Sequence, residues 1–288
     1  KTTRNSLILL LTATIWGMAF VSQSKGMDYM HPFTFNGVRS LIGAAGILVY
    51  ILISRKIAGD KAAKLDWKLN VRAGLLCGIF LTIASTLQQF GIKYTSVGKA
   101  GFITTLYIIF VPMFGIFLKK KVAPVVWAAA GMAAVGMYLL CMTESLRLGA
   151  GDVMVFLCAI AFAIQIMTVD HYAARIDGAV VSCIQFTVCG VVCCIGALIW
   201  GQPTFGQIQE GLGALLYAGV LSCGVGYTLQ IVGQKGLNPT VAALIMSLES
   251  VIATISGWIA YKIGFLSTDQ TLTPRQIAGC VIVFAAVI

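Results

Sequence analysis

Every stretch of this chain that could build a core, the last one excepted, is also long enough to cross a bilayer. Ten mostly apolar runs, 5–24, 32–54, 71–92, 97–118, 124–143, 150–169, 178–200, 211–233, 239–262 and 274–288, are separated only by short polar breaks. A helix crosses the hydrocarbon with about 20 such residues. In lipid each backbone N–H and C=O must be paired, which helices do within one segment. Composition points the same way: the 288 residues are 59% hydrophobic and 10% charged, where an average soluble domain has about 25% charged. The expected fold is an all-α integral membrane protein with ten transmembrane helices. The first run, from Leu7 to Val21, has no small-residue cleavage site and reads as a retained span. The tenth has 15 residues, roughly 22 Å of helix. It reads as cut short, with the native chain continuing past Ile288.

The net charge of +10 has its simplest origin in cytoplasmic loops rich in Lys and Arg. No basic patch is interleaved with exposed aromatics, so no nucleic-acid partner is expected. With the N-terminus inside, thirteen cations fall on the inner side: Lys1, Arg4, Arg55, Lys56, Lys61, Lys64, Lys68, Arg72, Lys119, Lys120, Lys121, Arg175 and Lys235. Six fall outside: Lys25, Lys93, Lys99, Arg147, Lys262 and Arg275. That asymmetry predicts both termini cytoplasmic and the polar segment 54–70 a cytoplasmic loop. The nine cysteines, Cys141 among them, all lie in apolar stretches. Cys189 and Cys193 share a helix face, but neither His nor an acid stands beside them. They read as small packing residues, and no metal or cofactor is expected.

One phrase is written twice. TLQQFGIK at 86–93 returns as TLQIVGQK at 228–235, and a shift of 142 brings ten identities into the 35 positions 86–120 without a gap, Lys120 on Lys262 being the last. A shift of 146 relates earlier spans more loosely, laying Trp16-Gly17 on Phe162-Ala163 and Arg39 on Gln185. Five spans separate equivalent segments, so the copies would cross the membrane in opposite directions. The expectation is two inverted five-helix repeats, 1–145 and 146–288, around a central cavity, an architecture of secondary transporters.

Spans 5 and 10 are nearly bare of polar side chains and suit lipid contact or a small-residue helix interface, within a monomer or across a homodimer. The other eight carry polar groups, which should face inward. Two ionisable residues stand deep: Glu249, ten residues after Pro239, and Arg39, seven after Pro32. Each is a functional candidate by its depth, with snorkelling open as the alternative for Arg39 and a structural hydrogen bond for Glu249. Glu249 is also the candidate for proton coupling. Gln88, Gln185 and Gln230 would add amides, and Trp16, Tyr107 and Tyr227 stacking or cation–π walls. Asp152, Asp170, Lys93 and Lys99, near span ends, read as solvated. Pro112, inside span 4, predicts a kink there.

The phrases WGMAF at 16–20, HPFTFNGVRSL at 31–41, QQFGIKYTSVGKAGFITTLYIIFVPMFG at 88–115 and GYTLQIVGQKGLNPTVAALIMSLESV at 226–251 resemble the EamA family of the drug/metabolite transporter superfamily. The resemblance implies ten helices in two inverted five-helix repeats and both termini cytoplasmic. It also implies movement of small metabolites, amino acids or related compounds, often outward, with Arg at Arg39 and Glu at Glu249. Where the family usually has a proline after that glutamate, this chain has Ser250, which puts the bend of span 9 in question.

The expected function is thus a secondary transporter in the cytoplasmic membrane, moving a small polar or zwitterionic metabolite outward by alternating access. One positive and one negative site residue would suit a zwitterion. A passive facilitator needs a similar polar interior and is the alternative. A membrane enzyme is not expected: nucleophilic catalysis usually calls on histidine, and His31 and His171 fall in loops on opposite faces, about 30 Å apart.

Overall fold

The computed structural model describes residues 2–59, 65–118, 123–141 and 149–287, without the side chains at 137, 140 and 141. Lys1, Lys61, Lys64, Lys119, Lys120, Lys121 and Arg147 of the orientation argument lie outside the described residues, as do the side chain of Cys141, the boundary at 145/146 and Ile288.

The described residues form helices and no strands. They are α1 (Thr2–Gly26), α2 (Pro32–Ala58), α3 (Trp67–Ile92), α4 (Val97–Thr105), α5 (Tyr107–Phe117), α6 (Pro124–Cys141), α7 (Ala150–Tyr172) and α8 (Gly178–Gly196). There follow α9 (Phe205–Glu210), α10 (Leu212–Leu216), α11 (Tyr227–Gln234), α12 (Pro239–Met246), α13 (Glu249–Lys262) and α14 (Pro274–Val287). Two π-helical stretches, Ala197–Gly201 and Tyr217–Gly226, extend α8 and join α10 to α11. Eight stretches are long and apolar enough to cross a membrane: α1, α2, α3, α4–α5, α7, Gly178–Gly201, Leu212–Gln234 and Pro239–Lys262. Two shorter apolar stretches are Pro124–Gly136 in span 5 and Pro274–Val287 in span 10.

Helix starts follow from local chemistry. A side-chain oxygen accepts an orphan backbone N–H at Asp66 (from Leu69, 3.0 Å), Ser96 (from Lys99, 3.3 Å), Asp177 (from Ala179, 3.0 Å) and Asn238 (from Thr240, 2.9 Å). Pro32 and Pro239 occupy the first turns of α2 and α12, where a missing N–H costs nothing.

Close approach of small residues sets the relative directions of the helices. Along α3, Gly74 abuts Ile184 and Gly78 abuts Val188, so α3 runs with α8. On α2, Gly37 abuts Cys194 while Leu41 lies against Gly190, so α2 runs against α8. Gly43 meets Cys223 and the Arg39 carbonyl lies against Gly219, so α2 runs with the π-helical stretch that continues into α11. The helices carrying Gln88 and Gln230 therefore point in opposite directions. Likewise Val97 meets Gly257, and Gly98 meets Thr254, placing α4 against α13 in antiparallel register. The bare helices α6 and α14 pack on each other, Gly136 against the Gly279 carbonyl and Ile282. Their small residues serve an interface inside the chain.

Two spans are broken in the middle. Between α4 and α5, Leu106 has φ −58° and ψ −10°; between α12 and α13, Leu248 has φ −59° and ψ −16°. Thr105 Oγ1 donates to the Phe102 carbonyl at 2.8 Å, and Ser247 Oγ to the Leu244 carbonyl at 2.7 Å. Each hydroxyl occupies the carbonyl that the next leucine N–H would use in a regular helix. Those N–H groups turn to later carbonyls, Leu106 to Ile103 at 3.2 Å and Leu248 to Ile245 at 3.3 Å. The interruption of span 4 falls at Leu106, six residues before Pro112, which lies inside α5. Span 9 breaks without a proline after Glu249. Instead, Ser250 Oγ donates to the Ser247 carbonyl at 2.8 Å.

Candidate functional site

Seven of the membrane-length stretches meet at one interior cavity of about 30 Å³. α1 presents Trp16, Phe20 and Gln23 at helical spacing, and α7 presents Phe162, Gln165 and Ile166. Arg39 comes from α2, Gln88 from α3, Thr104 from α4, Tyr107 from α5 and Glu249 from α13. Ser222, Tyr227 and Gln230 come from the π-helical stretch and α11.

Seven of the eight residues singled out from sequence line it: Trp16, Arg39, Gln88, Tyr107, Tyr227, Gln230 and Glu249. Gln185 does not. It is fully buried on α8, with its Cα packed against Gly78, and neither amide atom has a partner among the described residues. α8 turns its polar face to α2 and α3, where Cys189 Sγ lies 3.5 Å from Ser40 Oγ and 3.4 Å from Ser85 Oγ. The expectation of eight inward-facing spans is corrected accordingly: α8 contributes nothing to the lining.

Arg39 is only 5% exposed, so it does not snorkel to a headgroup. Its Nε donates to Asn36 Oδ1 at 2.8 Å, and Asn36 Nδ2 in turn donates to the Ser85 carbonyl at 2.9 Å. The guanidinium stands over the Phe35 ring at 5.5 Å. Of its five donors, one is committed to a hydrogen bond with a described residue. Glu249 is 3% exposed and accepts from the Tyr107 hydroxyl through Oε1 at 3.0 Å. No ion pair joins Arg39 and Glu249 among the described residues. A basic and an acidic side chain thus border one cavity without touching each other.

Three of the lining amides are paired. Gln165 and Gln230 exchange hydrogen bonds, Nε2 to Oε1, at 3.5 and 3.2 Å. Gln88 Nε2 donates to Thr104 Oγ1 at 3.1 Å. Trp16 and Tyr227 form an aromatic wall with ring centroids 4.5 Å apart, backed by Phe186 at 5.0 Å from Tyr227. The Trp16 Nε1–H and Gln23 Oε1 are buried with no partner among the described residues. A volume of 30 Å³ has room for about two waters, so this conformation is closed around its polar centre.

Gln23, Thr104, Gln165 and Ser222 are lining residues the sequence reading did not single out. Gln23 could have been found from its spacing of seven from Trp16, two turns along one helix face. Asp152 was expected to be solvated, and the structure corrects this: it is 4% exposed. Its carboxylate accepts from Lys99 Nζ at 2.6 Å, Thr95 Oγ1 at 3.0 Å and the Gly149 N–H at 2.9 Å. That ion pair ties the start of α4 to the start of α7.

Compared with known proteins, the chain matches the EamA-like transporter family twice, over residues 4–142 and again over 149–288. It is 27% identical over 286 residues to an uncharacterized transporter of Archaeoglobus fulgidus, covering 97% of this chain and 83% of that one. It is also 27% identical over 257 residues to the uncharacterized transporter YwfM of Bacillus subtilis, covering 88% and 84%. A solved crystal structure superposes with a TM-score of 0.74 over 99% of this chain and 95% of that chain. At 16% identity that likeness concerns the fold alone.

Proposed function

The chain belongs to the EamA-like transporter family, and from that premise we propose that it is a secondary transporter that moves a small polar or zwitterionic metabolite, an amino acid or a related compound, outward across the cytoplasmic membrane by alternating access. Its halves, 1–145 and 146–288, act as inverted five-helix repeats, ten spans in all, with both termini cytoplasmic. Arg39 takes the carboxylate of the cargo and Glu249 its amine. Gln88 and Gln230 orient it, and Trp16, Tyr107 and Tyr227 wall it in. Glu249 carries the coupling proton if one is used.

The observation that carries this reading is the hydrogen bond from Tyr107 to Glu249. These residues are 142 apart, the same shift that lays TLQQFGIK on TLQIVGQK. Equivalent positions of the two halves therefore meet each other across the cavity. The same shift relates Gln88 to Gln230, and a shift of 146 relates Trp16 to Phe162 and Phe20 to Ile166; all four pairs are in the lining. Contact between equivalent positions is what a two-fold relation between halves produces at its axis. The opposed directions of α4 and α13 agree with an axis in the membrane plane. Two near-equivalent halves can exchange conformations, one arrangement opening inward and the other outward. The tight cavity favours a carrier over a standing pore.

The test is transport in proteoliposomes, with cargo first identified by a thermal-shift screen of amino acids, nucleosides and amines on the purified protein. Glu249→Gln and Arg39→Ala are each expected to impair transport while the protein remains folded. Wild-type rates in both variants would defeat the site assignment.

A further inference from the structure

Away from the central cavity, a crevice of about 420 Å³ runs between α2 and the stretch from the π-helical turn into α11. Its walls are apolar: Ile47, Val220, Val225, Leu229 and Val232, with Gly46 and Gly224 opening it between them. A Cβ at Gly46 would meet no atom within 4 Å. The crevice continues into a second, polar pocket of about 640 Å³, sharing Tyr50, Thr228 and Val232 with it. There the character changes. Arg55 at the end of α2, Arg175 between α7 and α8, and Lys235 just after α11 all border the polar pocket.

Two acids also border it, Asp66 and Asp177. Both are committed to helix starts, Asp66 accepting the Leu69 N–H and Asp177 those of Ala179 and Val180. Neither forms an ion pair with the three cations among the described residues. Lys235 Nζ donates to the Ile176 carbonyl at 3.2 Å, and an Arg175 Nη2 reaches the His171 carbonyl at 3.5 Å. The Arg55 guanidinium has no side-chain hydrogen bond or ion pair to a described residue.

We propose that this composite groove is a binding site for one anionic phospholipid, with an acyl chain in the crevice floored by Gly46 and the headgroup phosphate held by Arg55, Arg175 and Lys235. The lining sequence, apolar along the membrane-length helices and cationic where they end, matches a lipid in both position and sign. Basic pockets between transmembrane helices are suited to anionic headgroups. A free phosphate would satisfy the cations and leave the crevice unexplained. The proposal is independent of what passes through the central cavity.

The test is native mass spectrometry of the delipidated full chain in detergent, titrated with phosphatidylglycerol or phosphatidylcholine. Inorganic phosphate is used as competitor. Wild-type protein is expected to prefer phosphatidylglycerol by about fivefold or more, on the strength of even one cation near the headgroup. Arg55→Gln with Lys235→Gln should bring that ratio toward one. Gly46→Phe, which fills the crevice without a clash at its Cβ, should weaken binding of both lipids. Equal binding of the two lipids by the wild type would overturn the proposal. So would a ratio untouched by the charge variant, or displacement of the lipid by an equal concentration of inorganic phosphate. The wild-type comparison stands even if a variant fails to fold.

Discussion

Leu106 and Leu248, 142 positions apart in the chain, interrupt their two spans with backbone angles that agree within a few degrees (φ −58°, ψ −10° and φ −59°, ψ −16°). Each interruption directly precedes a lining residue, Tyr107 in one case and Glu249 in the other. The breaks bring those two side chains into hydrogen-bond contact at 3.0 Å.

The hydroxyls that stand at the two breaks can be removed. Thr105→Val and Ser247→Ala free the Phe102 and Leu244 carbonyls for regular helical bonding. Each is expected to slow transport severalfold, because Tyr107 or Glu249 is re-aimed. The stability change should be modest, about 1 kcal/mol or less. Turnover in proteoliposomes, read beside thermal unfolding, checks this. Unchanged turnover in both variants would mean that the breaks do not position the site.

The reciprocal amide pair predicts non-additive energetics. Gln165→Leu strands the Gln230 amide, and Gln230→Leu strands that of Gln165. Each single change should cost about 1–3 kcal/mol for the unpaired group. The double variant should cost less than their sum, with a coupling energy on the order of 1 kcal/mol. A double-mutant cycle of unfolding in detergent measures it, and strict additivity would contradict the pairing.

Close helix approach behind Glu249 depends on a missing side chain. A Cβ on Gly17 would stand 2.6 Å from Ile252 Cβ and 2.8 Å from the Glu249 carbonyl. Gly17→Ala is therefore expected to destabilise by about 1–3 kcal/mol, because α1 must move off α13. Gly131→Ala meets open space and serves as the neutral control. Similar unfolding of both variants would remove the packing argument.

His31, between the first two membrane-length helices, caps α2: its Nδ1 accepts the Phe33 N–H at 3.4 Å. Partial burial, and then the nearby Lys93 charge, lower its pKa from the ordinary 6.5. The unfolded chain therefore binds the proton more readily than the folded one, and stability rises with pH. The contribution of neutral His31 is present above pH 6.5 and fades as the pH falls from there through the lower folded value. Thermal unfolding from pH 7.5 to 5 is expected to show a loss that His31→Asn diminishes, since Asn keeps a capping acceptor. An identical pH profile in that variant would assign the effect elsewhere.

Much of this site could be read before any coordinates. A polar side chain facing lipid is costly, so depth within an apolar run was enough to send Arg39, Gln88, Gln230 and Glu249 inward. Gln185 is different. Its place opposite Arg39 in the repeat suggested the cavity, but which face of α8 meets α2 and α3 depends on glycines at 37, 74 and 78. Those contacts lie on other helices and leave no periodic mark in α8. Gln23 was lost for an opposite reason, sitting close to the expected end of span 1 while α1 continues to Gly26. Pro112 drew attention as the obvious helix breaker. Thr105 and Ser247 stand directly before the two interruptions, with hydroxyls that draw notice only when the two copies are aligned. The Lys99–Asp152 pair, 53 residues apart, is a tertiary contact that span-end position alone could not reveal.

The most direct measurement is counterflow. Proteoliposomes preloaded with unlabelled cargo and diluted into a trace of labelled cargo should accumulate label transiently above equilibrium in the wild type, since unlabelled cargo inside competes with the entered label for the carrier's exit step. Glu249→Gln should abolish that overshoot. A monotonic approach to equilibrium in the wild type, at a rate that does not saturate with cargo, would contradict alternating access and leave a pore.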